Sequence, residues 1–119
     1  MSHPTGVSLT ASMTKSLGCD IEKLHKTVLS HHVFHPNELD ALSNLPSGDI
    51  QNHEFLRLWT AKEAFLKAIG TGIDAKASSY DFSKSNTISL YDGSFWKLEH
   101  HTVCDFPDYL SCVCYKCLQ

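Results

Sequence analysis

The sequence predicts an α+β domain in which an antiparallel sheet packs against one long helix. Three observations predict it. Leu58, Ala61, Phe65, Ala68 and Ile69 recur at three- and four-residue steps, which is the stripe of an amphipathic helix. Val7, Leu9, Ala11 and Met13 alternate with Ser8, Thr10 and Ser12, which is the two-residue period of a half-buried strand. Toward the end of the chain, strand-like runs gather around Asp92-Gly93, a hairpin signal that makes neighbouring strands antiparallel.

Taken in order, Val7 to Met13 and Leu17 to Glu22 read as two strands joined by a tight turn at Thr14-Lys15-Ser16. Lys23 to His32 reads as a short helix, broken before Pro36 because proline disfavours helix in the residue that precedes it. Pro36-Asn37-Glu38-Leu39 opens another helix, with proline in its first turn, running to about Leu45. Pro46-Ser47-Gly48-Asp49 is a loop. The long helix begins near Asn52 and stops at Gly70, which can adopt the left-handed conformation that ends a helix. From Thr71 to Ser85 the chain is polar and irregular, anchored by Ile73, Tyr80 and Phe82. Thr87 to Tyr91, Phe95 to Val103 and Tyr109 to Tyr115 are the last strands, with a turn at Asp105-Phe106-Pro107-Asp108 between the final two.

Composition sets the bounds. A chain of 119 residues suits a single domain spanning 1–119, with 42% hydrophobic and 19% charged residues, ordinary for a globular protein. A net charge of -3 gives no electrostatic footprint for nucleic acid. No apolar run approaches the roughly 20 residues that span a bilayer, and Met1-Ser2-His3-Pro4 lacks the basic and apolar regions of a signal peptide. A reducing cytoplasm follows, in which the five cysteines are thiols.

Two groups of charged residues bear on chemistry. Asp20 and Glu22 are two apart on a predicted strand, so both carboxylates share a face. That pair describes either a solvated edge strand or a place where a cation offsets like charge. Lys62, Glu63 and Lys67 lie off the apolar stripe of the long helix, and Glu63 and Lys67 are spaced to meet. They describe either a solvated face with an ion pair or an acid and two bases aimed at one site. Cys112, Cys114 and Cys117 with His100-His101 suggest zinc, but Cys112 and Cys114 sit in a strand pattern facing one side, where buried cysteine acts as a small hydrophobe.

Gly18-Cys19-Asp20-Ile21-Glu22, followed about forty residues later by Trp59-Thr60-Ala61-Lys62-Glu63-Ala64-Phe65-Leu66-Lys67, resembles the signature pair of the 4'-phosphopantetheinyl transferase superfamily. Those signatures read G-[IV]-D-[IV]-E and W-[STC]-x-K-E-[AS]-x-x-K. Gly70-Thr71-Gly72-Ile73 matches the glycine-rich turn after the family's helix, and Phe34 and Glu38 resemble its F-x-x-x-E element. Ser2-His3 resembles the S-H motif of the larger, two-lobed members, similar to surfactin synthetase-activating enzymes. The chain matches one such lobe, at a length similar to the compact holo-acyl-carrier-protein synthase type. Cys19 departs from the usual isoleucine or valine, and the other lobe is missing.

The resemblance implies the 4'-phosphopantetheinyl transferase fold and a transferase that moves the phosphopantetheine arm of coenzyme A to a serine of an apo acyl or peptidyl carrier protein. It implies Mg2+, or Mn2+, held by Asp20, Glu22 and Glu63, whose oxygens suit a hard cation. Glu63 would accept the serine proton and Lys67 would stabilise the leaving phosphate. Ser2, His3, Lys62 and Lys67 would contact coenzyme A, while Trp59 would pack beside the site. In the two-lobed relatives coenzyme A lies between lobes, so a lone lobe implies a homo-oligomer, dimer or trimer. The alternative is a lobe that binds coenzyme A or a carrier protein as a subunit, without turnover.

Overall fold

In a computed structural model, residues 17–72 and 76–117 are described. The order of elements is β1 (Leu17–Lys23), α1 (Pro36–Ser43), α2 (Asp49–Ile69), a 3-10 turn (Ala77–Ser79), β2 (Thr87–Ser89), β3 (Phe95–Val103) and β4 (Phe106–Cys117). The four strands form one antiparallel sheet in the order β1-β4-β3-β2, with the helices packed against it. The α+β architecture predicted from the sequence is therefore the one observed. The predicted strand Val7 to Met13 and the turn after it lie outside the described residues, as do Ser2 and His3.

α2 begins at Asp49, three residues before the expected start, directly after Gly48 at φ 116. An aspartate in the first turn suits the positive end of the helix dipole. The helix ends as expected, with Gly70 at φ 85 and its N–H donating to the carbonyls of Leu66 and Lys67. Its apolar stripe forms the core: Leu58, Ala61, Ala64 and Phe65 are fully buried. Phe65 meets Tyr80, Phe82 and Trp96 edge-on, at ring separations of 4.8, 5.5 and 6.1 Å. Burying one such ring stabilises the fold by about 1.5–3 kcal/mol. From the sheet, Trp96, Leu98, Cys112 and Cys114 complete this core.

The close approach of β1 to α2 places the site. A Cβ on Gly18 would lie 2.1 Å from the Ala64 carbonyl oxygen and 2.5 Å from the Ala68 nitrogen. Only glycine lets the strand touch the helix backbone there. The contact brings Asp20, two residues on and on the same face, beneath the last turns of α2.

Two expectations are corrected. Lys23 to His32 is not a helix. β1 runs through its start, Lys23 pairing with Tyr109, and the Leu24 N–H donates to the Asp108 carbonyl. Thr27 then donates from both its N–H and its hydroxyl to the Asn52 side chain on α2. With their backbone groups engaged by the sheet and by α2, these residues do not close a helical ladder. The turn between the last two strands is also tighter than predicted. It comprises Cys104 and Asp105, the latter at φ 66, and β4 already begins at Phe106. Pro107 is accommodated because the register slips between Thr102 and Val103, leaving a bulge where its missing N–H is not needed.

Candidate functional site

β1 and the C-terminal half of α2 bring together four of the residues singled out in the sequence. Asp20 is 6% exposed. Its Oδ1 accepts a hydrogen bond of 2.9 Å from the Lys67 ammonium, which also donates to the Cys19 carbonyl at 3.2 Å. Its Oδ2 is buried and has no partner among the described residues. A buried carboxylate oxygen with no donor is costly, so this one requires a cation, a proton or water.

The neighbouring acids respond to Asp20. Burial, then the charge of and contact with Asp20, push the Glu22 carboxyl above the usual range, and a hydrogen bond from Trp59 offsets part of that rise. Burial, then the Asp20 charge, likewise raise Glu63, with Lys67 pulling the other way. Partial burial pulls Lys67 down, but its hydrogen bond to Asp20 and the charges of Asp20 and Glu63 outweigh this and hold it above the ordinary lysine value. Glu63 and Lys67 are thus neighbours as their spacing predicts, although the ion pair of Lys67 goes to Asp20. Trp59 is half-buried and stacks on Phe55 at 6.1 Å, beside Phe34.

The donor set suits a hard divalent cation: three carboxylates, of which Glu22 and Glu63 have raised proton affinity and Asp20 has an orphaned oxygen. Among the described residues, no three acidic, histidine or cysteine side chains converge as a formed metal cage. The cluster is an open rim. Two clefts, of about 810 and 750 Å³, lie elsewhere, one beside the N-terminal half of α2 and the other against β2, and none of the cluster residues lines them.

Lys62 is not part of the cluster. It is wholly buried and pairs with Glu38 of α1 at 2.8 Å. It donates also to the carbonyl oxygens of Ala77, at 3.0 Å, and Tyr80. Burial, only partly countered by Glu38, lowers its pKa. The expectation that it lies off the apolar stripe is corrected: Leu58, Lys62, Phe65 and Ile69 are themselves three or four apart, so Lys62 belongs to the face that packs inward. The F-x-x-x-E resemblance had pointed to Glu38 without giving it this partner.

Sequence reasoning also missed a polar contact under the sheet. His100 Nε2 lies 3.0 Å from the Arg57 carbonyl and 3.1 Å from the Thr60 hydroxyl oxygen. Only an N–H can satisfy a carbonyl, which fixes the proton on Nε2 and leaves Nδ1, buried and unpartnered, as an acceptor. A histidine alternating into the core face of β3 was the available signal. The cysteines carry free thiols. Burial pushes Cys114 up to about 12 and Cys112 higher still, as for small core residues.

The chain is 40% identical over 105 residues to the 4'-phosphopantetheinyl transferase HetI of Nostoc sp., covering 82% of this chain and 44% of that protein. It is 30% identical over 89 residues to the 4'-phosphopantetheinyl transferase gsp of Aneurinibacillus migulanus, covering 73% and 37%. It is 36% identical over 77 residues to a holo-[acyl-carrier-protein] synthase of Limosilactobacillus reuteri, covering 58% and 63%. The chain thus spans less than half the length of the first two. Residues 16–114, which hold β1, α2 and the whole rim of Asp20, Glu22, Glu63 and Lys67, match the family model described as the 4'-phosphopantetheinyl transferase superfamily, and the chain belongs to that superfamily.

Proposed function

We propose that this chain transfers the 4'-phosphopantetheine group of coenzyme A to a serine hydroxyl of an apo acyl or peptidyl carrier protein, with Mg2+ or Mn2+ at Asp20, Glu22 and Glu63. The observation that carries the proposal is the Asp20 carboxylate, buried with one oxygen on Lys67 and the other without a donor among the described residues. Family membership supports phosphopantetheinyl transfer in general.

A bound divalent cation would neutralise charge on the pyrophosphate oxygens. The rest falls to side chains. Glu63, with its proton affinity raised by burial and by Asp20, is suited to take the serine proton. Lys67, held protonated beside Asp20, is placed to stabilise adenosine 3',5'-bisphosphate as it leaves. Trp59 packs beside the rim against Phe55 and Phe34. Ser2 and His3 are assigned to coenzyme A phosphate on the family resemblance. Lys62 is left out of the phosphate set because protein oxygens engage its three donors.

An open rim does not enclose a ligand as long as coenzyme A. We assign its other wall to a second copy of the chain, as a dimer or trimer, or to a further lobe, and place the protein in the cytoplasm as one domain. Among the described residues no helix is long and apolar enough to cross a membrane.

The test is incubation with coenzyme A, Mg2+ and a panel of apo carrier proteins. A carrier that gains the mass of one phosphopantetheine supports transfer and identifies the substrate. Mn2+ and coenzyme A binding without mass gain overturns transfer in favour of the non-catalytic subunit. Calorimetric titration of Mn2+ in the presence of coenzyme A should lose its signal in Asp20→Ala, and unchanged affinity there removes Asp20 from the metal site.

A further inference from the structure

We propose that the buried Lys62–Glu38 pair is a positioning device: it fixes the roll of the last two turns of α2 and so sets Glu63 and Lys67 against Asp20, without touching a ligand. The part that concerns turnover rests on the transferase assignment above.

The pair ties together backbone groups from three segments of the chain, beside the Asn37–Asp81 hydrogen bond between α1 and the segment 77–82 and the Arg57 bond to the Phe82 carbonyl. Lys62 donates to Glu38 and to the carbonyl oxygens of Ala77 and Tyr80. Glu38 accepts from the N–H of His35 at 2.9 Å and from the N–H of Phe82 at 2.8 Å. Phe82 also lays its ring 5.6 Å from the Lys62 ammonium. The start of α1 and the segment 77–82, which holds one turn of 3-10 helix, are thereby fastened at Lys62, the point of attachment nearest the last turns of α2.

That point is one residue from Glu63, and successive side chains on a helix point about 100° apart. One flank of these turns is seated on β1 through Gly18, Ala64 and Ala68. The other is held by Lys62. With both flanks fixed, the helix cannot roll, and Glu63 and Lys67 keep their bearing on Asp20. A buried charge pair constrains geometry more strictly than an apolar contact, because its hydrogen bonds are directional and leaving one unmade is costly.

Removing one partner strands the other charge and risks unfolding, so the informative variant neutralises both: Lys62→Met with Glu38→Gln, which keeps an acceptor for the Phe82 N–H. Three measurements separate the possibilities. Positioning predicts that Mn2+ affinity without coenzyme A, read by electron paramagnetic resonance, falls roughly tenfold, as loss of the groups that orient metal-binding side chains implies. It predicts that kcat falls while KM for coenzyme A holds. A phosphate ligand would instead raise KM and leave Mn2+ affinity unchanged, which overturns the proposal. A merely structural role would lower the melting temperature and leave Mn2+ affinity and kcat of the folded protein intact, which also overturns it. If the unaltered protein neither binds Mn2+ nor transfers, the transferase assignment fails, and amide hydrogen exchange then judges the clamp alone. Faster exchange in the variant at Phe82, spreading to residues 63–67, supports it. Unchanged protection at 63–67 overturns it.

Discussion

Lys62 and Lys67 stand on the same helix, each paired with one carboxylate, and their surroundings differ on every count. The side chains of the Lys62–Glu38 pair are 0% exposed on both sides, while Lys67 keeps 49% of its side chain in solvent above an Asp20 whose side chain is 4% exposed. On the closed flank every hydrogen-bonding group of the ammonium has a protein partner. On the open flank one carboxylate oxygen has none among the described residues. Burial lowers the pKa of Lys62, whereas acidic neighbours raise that of Lys67. Two lysines of one motif therefore do different physical work. A fully satisfied pair specifies geometry and has no capacity left for a ligand; a half-satisfied pair at the rim keeps that capacity.

The largest expected effect breaks this comparison directly. Lys62→Met alone leaves the Glu38 charge uncompensated in the core and should cost about 3–5 kcal/mol in urea denaturation. Lys67→Met strips the donor from one Asp20 oxygen, but at a rim that water can enter, and should cost about 1–3 kcal/mol. Equal losses would mean that burial does not distinguish the flanks.

A second substitution tests what seats the open flank. Gly18→Ala drives a methyl group into helix backbone at Ala64 and Ala68, which cannot swing aside as a side chain would. Over-packing of this kind costs about 1–3 kcal/mol. Because Asp20 rides on the same strand, Mn2+ affinity should fall with stability. A stable Gly18→Ala variant with unaltered Mn2+ binding would show that the strand–helix contact does not set the rim.

The open flank was the legible one. Asp20 and Glu22 share a strand face by simple alternation, and Glu63 and Lys67 meet by helical spacing, so local periodicity placed them on the right surfaces. The ends of α2 were legible to within three residues at Asp49 and at Gly70 itself, because glycine punctuates both. The closed flank was not. Lys62 adjoins Glu63 in the motif, and its charge argued for the surface. Its burial depends on Glu38, 24 residues away, and on carbonyls at Ala77 and Tyr80, contacts that no local period encodes. The loss of the predicted helix after Lys23 has the same cause: Asp108 and Asn52, distant in sequence, bind its backbone. The two-residue turn at Cys104-Asp105 was hidden because Pro107 marks a bulge rather than the turn itself.

The smallest effect concerns a half-buried group that lacks what Lys62 has. His100 lies beside Thr60 on the core side of α2, and no carboxylate among the described residues bonds to it. Burial depresses its pKa below the ordinary histidine value; the Arg57 carbonyl opposes this, the Arg57 charge adds to it, Glu54 opposes it and His101 adds to it. The sign follows from which state binds the proton first. As pH falls through about 6.5, the unfolded chain protonates this histidine while the folded chain does not. Stability is therefore complete above about pH 6.5 and declines below it, until the folded pKa is reached. The site keeps some contact with water, so screening limits the loss to less than about 1 kcal/mol between about pH 7 and 5. His100→Gln can still donate to the Arg57 carbonyl but does not titrate, so the difference between its urea profile and that of the unaltered protein isolates this histidine from Glu22 and Glu63, whose raised values act in the opposite sense. If the two profiles stay parallel from pH 7 to 5, His100 carries no linked proton, and the contrast between a buried charge with a partner and a half-buried base without one does not extend beyond the lysines.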